Sequence, residues 1–235
     1  MNSYSQFGED LLLWQYFGGR PNGFFVEAGA NHPTKCSQTW LFEQQGWKGI
    51  LVEPIARNCE ALRQNRPGSK VFQFALGAAE QRGRAQFSVA AGNDGLSGLV
   101  VNDGVVVERV EEVEVRTLDE VLAEAGNPKL DLVSIDVEGA ELQVLRGFDL
   151  ARHRPEVLLV EDHLRHLSVH RHLVGHGYRL VKRTGLNNWY VPQDQPFRMT
   201  RCVERLALFR KMFLSMPFRK LKRFLRRWSS RHPRK

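Results

Sequence analysis

From about residue 23 to residue 192, short apolar runs alternate with segments of helical period. The runs Phe24–Glu27, Ile50–Glu53, Val71–Ala75, Leu132–Asp136, Val157–Glu161, Tyr178–Val181 and Trp189–Val191 read as strands. Helical spacing marks 37–45, 56–65, 118–125, 139–147 and 163–175. Such alternation predicts an α/β fold, a doubly wound and mostly parallel sheet with helices on both faces. Thr117 with Glu120, and Ser3 with Gln6, have capping-box spacing and mark two helix starts. Pro67 and Pro155 fall in loops, and Trp40 and Trp47, flanking Leu41 and Phe42, read as core. Residues 84–116 interrupt the alternation with two strand-like runs separated by Gly92, Gly95, Gly98 and Gly104. This is an inserted hairpin with a glycine-rich loop, and loops of this length are usually either functional covers or plain disorder.

Three of the predicted strands stop at carboxylates in short turns: GFFVEAGAN (Gly23–Asn31), GILVEP (Gly49–Pro54) and LDLVSIDVEG, which holds Asp136 and Glu138. Ligands in open α/β sheets sit in the crevice at the carboxyl ends of the strands, so these turns point to a small-molecule cofactor site. Gly29 and Ala30 keep the first turn small, and Glu27 and Asn31 offer an acceptor and a two-sided hydrogen-bonding group. The turn lacks the full G-x-G-x-x-G pattern, which weakens a pyrophosphate or NAD reading. Glu53 lies about 20 residues beyond the glycine turn, where an acid accepts hydrogen bonds from a ribose diol; the alternative is a strand-end carboxylate capping the next helix.

The motifs YSQFGED (Tyr4–Asp10), FFVEAGANHP (Phe24–Pro33), SQTWLFEQQGWKGILVEP (Ser37–Pro54), ALG (Ala75–Gly77), RTLDEVL (Arg116–Leu122) and SIDVEGAELQVLRGF (Ser134–Phe148) follow one another in order. Over residues 4–192 the chain thereby resembles the FkbM family of S-adenosylmethionine-dependent methyltransferases. The resemblance implies a class I methyltransferase fold, Rossmann-like, with seven strands and one antiparallel strand at the edge. It further implies that Glu27, Gly29 and Asn31 line the methionine end of the cofactor, with Ala30 in the same cofactor-binding turn, and that Glu53 holds the ribose. Ala75 and Leu76 would border the adenine, and Asp136 would lie near the transferring methyl. Family members of known role methylate hydroxyls of polyketides and sugars. The expected reaction is therefore O-methylation of a glycan or other polar natural product.

A sugar hydroxyl has a high pKa, so its proton must be taken by a base or a metal must acidify it. Glu161, Asp162 and His163 cluster after the fifth strand, with His163 the best single candidate for the base and Asp136 and Glu161 as its companions; a helix-start histidine without a role is the alternative. Asp136, Glu138, Glu161 and Asp162 also compose a weak candidate site for Mg²⁺. His163, His166 and His170 share a helical face, as do His172 and His176, but the interleaved leucines argue for a packing helix over a zinc site. Asn187, Asn188 and Trp189 either face a sugar acceptor or form a turn.

Charge divides the chain. Residues 201–235 hold 13 Lys/Arg and one acid, Glu204, whereas the first 200 residues hold 21 Lys/Arg and 25 acids, so the overall +8 belongs to the tail. From Leu206 the apolar residues Phe209, Phe213, Met216, Leu221, Phe224, Leu225 and Trp228 recur between basic ones, with a break near Pro217. A basic amphipathic helix over 205–235 suits an anionic membrane surface, with a protein partner or nucleic acid as alternatives. The division predicts a methyltransferase domain over 1–200 and a basic tail over 201–235. An acidic catalytic domain without an N-P-P-Y-type signature disfavours a nucleic-acid methyltransferase, and a non-catalytic cofactor-binding module is the rival of another class. Three cysteines without metal spacing, and no signal-like or membrane-spanning run, predict a cytoplasmic protein, peripheral at the inner membrane face if the tail binds there.

Overall fold

In a computed structural model of the chain, residues 1–101, 104–164 and 166–215 are described. After helix α1 (Glu9–Tyr16) come β1 (Phe24–Ala28), α2 (Trp40–Gln44), β2 (Lys48–Val52), α3 (Ala56–Asn65) and β3 (Ser69–Phe72). Next are β4 (Ala75–Leu76), β5 (Gly83–Ala90), β6 (Val107–Arg116), α4 (Leu118–Glu124), β7 (Leu132–Ile135), α5 (Glu141–Arg146), α6 (Leu150–His153) and β8 (Val157–Glu161). The chain continues through α7 (Ser168–Gly175), β9 (Tyr178–Thr184), β10 (Asn187–Pro192) and α8 (Cys202–Phe209), with a π-helical turn over Arg210–Leu214.

Seven strands form one sheet in the order β3-β2-β1-β7-β8-β10-β9. The first five are parallel, and β10 runs antiparallel to both β8 and β9. The order reverses between β1 and β7, and that switch point opens the crevice predicted from the sequence. The strands are apolar throughout because both faces are buried. Val26, Val133, Leu158 and Val160 pack with α4, α5 and α7 on one face, and Phe25, Leu132, Val157 and Leu159 with α1, α2 and α3 on the other. Each fully buried aliphatic or aromatic side chain contributes about 1.5–3 kcal/mol.

The inserted hairpin is present: β5 and β6 pair antiparallel, and β4 joins β6 in parallel to make a second, three-stranded sheet. The run read as one strand over 71–75 therefore divides. β3 ends at Phe72, and Ala75–Leu76 crosses to the small sheet, whose core is Ile55, Ala75, Phe87, Val89 and Val115.

Thr117 caps α4 with Glu120 in the expected box. The Ser3/Gln6 expectation fails: the helix starts at Glu9, and Ser3 Oγ instead donates to Asp10 Oδ1 at 2.6 Å. The helix expected over 163–175 begins only at Ser168, because Leu164 takes a left-handed conformation (φ 53°) while its amide bonds Asp162 Oδ1 at 2.6 Å. His163 and His166 thus sit in a loop and share no helical face with His170, whereas the rings of His172 and His176 do meet, 4.3 Å apart. Trp47 is buried and Trp40 half-buried.

The start of the basic tail packs on the domain. Met212 is fully buried, Phe213 meets the His170 ring edge-on, and Lys182 pairs with Glu204 at 3.6 Å. Val203, Leu206, Phe209 and Leu214 stay exposed. The predicted apolar positions from Met216 to Trp228 lie outside the described residues.

Candidate active site

The crevice holds two adjoining clefts that share Gly29, Asn31, Gly95, Asp136 and Glu138. The first, of about 520 Å³, is lined by Gly29, Asn31, Glu53, Ala75, Leu76 and Asp136, all singled out from the sequence. The inserted hairpin covers it with Phe87, Asp94, Gly95, Ser97 and Leu99. The second, of about 870 Å³, takes Glu27, Ala30, Glu161 and His163 together with Gln6, Lys35, Gln38, Asn93, Leu96 and Leu186.

Gly29 makes the junction possible. Its φ is 83°, and a Cβ there would lie 1.8 Å from the carbonyl oxygen of Asp136. Only a residue without a side chain lets the β1 turn approach the end of β7 so closely. Amides of Gly29 and Asp136 bond back to Val52 and Ala28, which ties the three turns to the sheet.

Glu53 is buried at the head of α3, accepting from the amides of Asn31 and Ile55, each at 2.9 Å. Burial pushes its carboxyl up to about 7, against these hydrogen bonds, which pull the other way. A carboxylate has room for about four hydrogen bonds, so two donors leave capacity for a diol. Glu27 is differently occupied. It accepts from Ser37 Oγ, the Gln38 amide at 2.9 Å and Thr39 Oγ1 at 2.5 Å, and Arg66 Nη1 stands 3.7 Å away. Its carboxylate therefore holds the loop after β1.

Arg66, which sequence reasoning passed over, is the buried hub of that loop. It donates to Glu43 Oε2 (2.7 Å), Thr39 Oγ1 (2.9 Å), Ser37 Oγ (3.3 Å) and the Pro33 carbonyl (3.1 Å). At the end of an amphipathic helix an arginine looks like surface; only the fold brings Glu27 and Glu43 around it.

Beyond β7 and β8 the acids converge. Burial first, then the charges of Glu161, Glu138 and Glu141, hold the Asp136 carboxyl well above the usual carboxylate range. His163 Nε2 lies 3.4 Å from Glu161 Oε2 and faces the second cleft. Asp162 does not join them: its oxygens accept from the Leu164 amide and from Asn188 Nδ2 at 3.1 Å. Asp162 thereby drops out of the cation set expected from Asp136, Glu138, Glu161 and Asp162. The donor atoms of Glu138, Glu161 and His163 are the ones that gather, within 4.8 Å of one another.

Asn187, Asn188 and Trp189 form neither an acceptor wall nor a turn. All three are buried in β10, bonded to Glu9, Asp162 and Thr184. Glu9 also accepts from the Phe7 amide and Thr184 Oγ1, so the YSQFGED segment latches the N-terminus over the sheet and presents Gln6 to the second cleft.

A seven-stranded sheet with this order, a glycine turn after β1, an acid after β2 and an acid after β7 together define a class I S-adenosylmethionine-dependent methyltransferase. The model of the Methyltransferase FkbM domain matches residues 27–180, and the chain belongs to that family. Among curated proteins it is 30% identical to the AMB antimetabolite synthetase AmbE of Pseudomonas aeruginosa, over 47% of this chain and 7% of the length of that protein. Among solved structures it is similar to the precorrin-6y C5,15-methyltransferase of Geobacter metallireducens, at 11% identity and a TM-score of 0.44, covering 81% of this chain and 90% of that one. A TehB-like SAM-dependent methyltransferase of Corynebacterium glutamicum is similar at 9% identity and a TM-score of 0.42, with 80% and 89% covered.

Proposed function

We propose that the protein methylates a hydroxyl of a saccharide or another polar natural product. The observation that supports this most is the pairing of the clefts: a mostly apolar one beside Glu53, joined at Gly29 and Asp136 to a more polar one that ends in Glu161 and His163. The residues of the first cleft suit S-adenosylmethionine. Glu53 would take the ribose hydroxyls, Phe74, Ala75 and Leu76 the adenine, and Gly29 and Asn31 the methionine end, with Glu27 acting through the loop it holds. Bound there, the cofactor supplies an electrophilic methyl on a sulfonium. The carboxylates of Asp136 and Glu138 face the place where that positive charge belongs.

The second cleft offers Gln6, Lys35, Gln38 and Asn93 as hydrogen-bonding groups, which suit a polyhydroxylated acceptor. Orienting the acceptor oxygen for in-line attack can supply roughly 7–11 kcal/mol of the barrier. Its proton leaves through the cluster of Asp136, Glu161 and His163. Titration calorimetry with S-adenosylmethionine, S-adenosylhomocysteine and NAD tests the cofactor assignment: micromolar binding of the first two and none of the third is expected. Product analysis with glycan acceptors then tests the acceptor class, and methylation confined to amines or nucleobases would sink it.

The tail supports a place at the cytoplasmic face of an anionic membrane. Val203, Leu206, Phe209 and Leu214 are exposed beside Arg205, Arg210 and Lys211, and no described helix is long and apolar enough to cross a bilayer. A chain ending at Thr200 is expected to lose binding to phosphatidylserine vesicles while keeping cofactor affinity. Undiminished vesicle binding would remove the anchor.

A further inference from the structure

We propose that Glu138, Glu161 and His163 form a binding site for a divalent first-row transition cation at the junction of the two clefts. Glu138 comes from the turn between β7 and α5, held in a left-handed conformation (φ 53°); Glu161 is the last residue of β8, and His163 follows it by two. Two protein segments from neighbouring parallel strands thus deliver two carboxylates and an imidazole to one point, with donor atoms within 4.8 Å of one another. Bonds of about 2.1 Å place the donors of one cation about 3–4 Å apart, so small side-chain rotations close the set.

A second observation points to a ligand. Glu161 is 6% exposed and stands beside Asp136, and among the described residues its Oε2 is buried without a hydrogen bond. It aims at His163 Nε2 at 3.4 Å, inside the cluster. Leaving a buried carboxylate oxygen unbonded is costly, and a cation removes that cost. The donor set also decides the class of ion. Mg²⁺ favours oxygen donors and waters, whereas one imidazole with two carboxylates suits Mn²⁺, Fe²⁺ or Zn²⁺.

The role of the cation rests on the methyl-transfer reading. An acceptor hydroxyl bound to it becomes more acidic. Its O–H bond breaks with the proton leaving to solvent, the oxygen pair forms the new bond to the methyl carbon, and the carbon–sulfur pair stays on sulfur. His163 then serves as a ligand, and proton removal by the cluster works through the cation.

The test uses the full chain, stripped with chelator and desalted, and titrated with Mn²⁺ while the spectrum of the free ion is followed by electron paramagnetic resonance. One Mn²⁺ per chain is expected, with affinity falling at least about tenfold in Glu161→Gln and in His163→Ala and unchanged in His176→Ala, an exposed histidine outside the cluster. S-adenosylhomocysteine binding in the same samples reports that the variants are folded. No saturable Mn²⁺ binding, or binding that survives Glu161→Gln, overturns the site. Bound S-adenosylhomocysteine without Mn²⁺ removes the cation and leaves the methyltransferase reading intact. Mn²⁺ without S-adenosylhomocysteine keeps the site and removes the cofactor assignment.

Discussion

The first cleft takes Gly29, Asn31, Glu53 and Asp136 from the few residues that follow β1, β2 and β7, whereas the second cleft takes Gln6, Lys35, Asn93, His163 and Leu186 from loops spread along the chain. Strand ends inherit their positions from the ladder. Val26 stands beside Ile50 and Val133, so the turns beyond them meet whatever the loops do. The loops of the second cleft need separate support, and they get it from buried polar hubs: Glu9 for the N-terminal segment, Arg66 for 33–39 and Asp162 for the turn after β8. Chemistry shared by a class of enzymes can rest on the sheet, while acceptor choice rests on loops that vary independently.

Arg66→Met should have the largest effect, because it leaves Glu27 and Glu43 buried without their cation. About 3–5 kcal/mol of stability should be lost in urea titration. Hydrogen exchange should speed up in 33–39 well before 72–76. Uniform exchange across both would break the distinction between loop-built and sheet-built clefts.

Glu53→Gln should weaken S-adenosylhomocysteine binding by about 1–3 kcal/mol, read by calorimetry, since a neutral amide loses charge-assisted bonds to the ribose. Unchanged affinity would take Glu53 out of the site. The same carboxyl sets a pH dependence. With its pKa raised to about 7, it is half protonated in the free protein near neutrality, and only the ionised form accepts both hydroxyl bonds. Affinity should therefore fall about tenfold from pH 8 to pH 6, and the profile should flatten in Glu53→Gln. For stability the sign is opposite. A raised pKa favours the protonated folded state, so this contribution is present below about pH 4.5 and is lost as pH rises through 7.

Asp94→Ala should matter least. Asp94 pairs with the exposed Arg57 and so pins the hairpin loop that both clefts share, yet exposed ion pairs stabilise little. A change of about twofold in cofactor affinity is expected. A loss as large as that of Glu53→Gln would make the hairpin part of the cofactor site proper.

Much of this was legible before folding. The strands β1, β2, β7 and β8 stand out because burial on both faces demands unbroken apolar runs, and helix 56–65 matches its amphipathic period. The residues that line the first cleft were legible for the same reason, being strand-end residues. The misreadings have one cause. His163 has helical spacing to His166 and His170, but Asp162 is needed to bond Asn188, and its other oxygen then captures the Leu164 amide and turns the chain. Asn187 and Asn188 look like turn residues, but Glu9, far away in sequence, gives the first a buried partner.

The sequence alone determined the main parallel strands, the glycine turn and the acids at the strand ends, because periodicity and local turn chemistry act within a few residues. Tertiary structure alone decided that Arg66 is a hub and that Asp162 turns away while Glu138 meets Glu161 and His163. Those outcomes depend on which buried polar groups find partners across the fold, and a buried charge settles where its partners are.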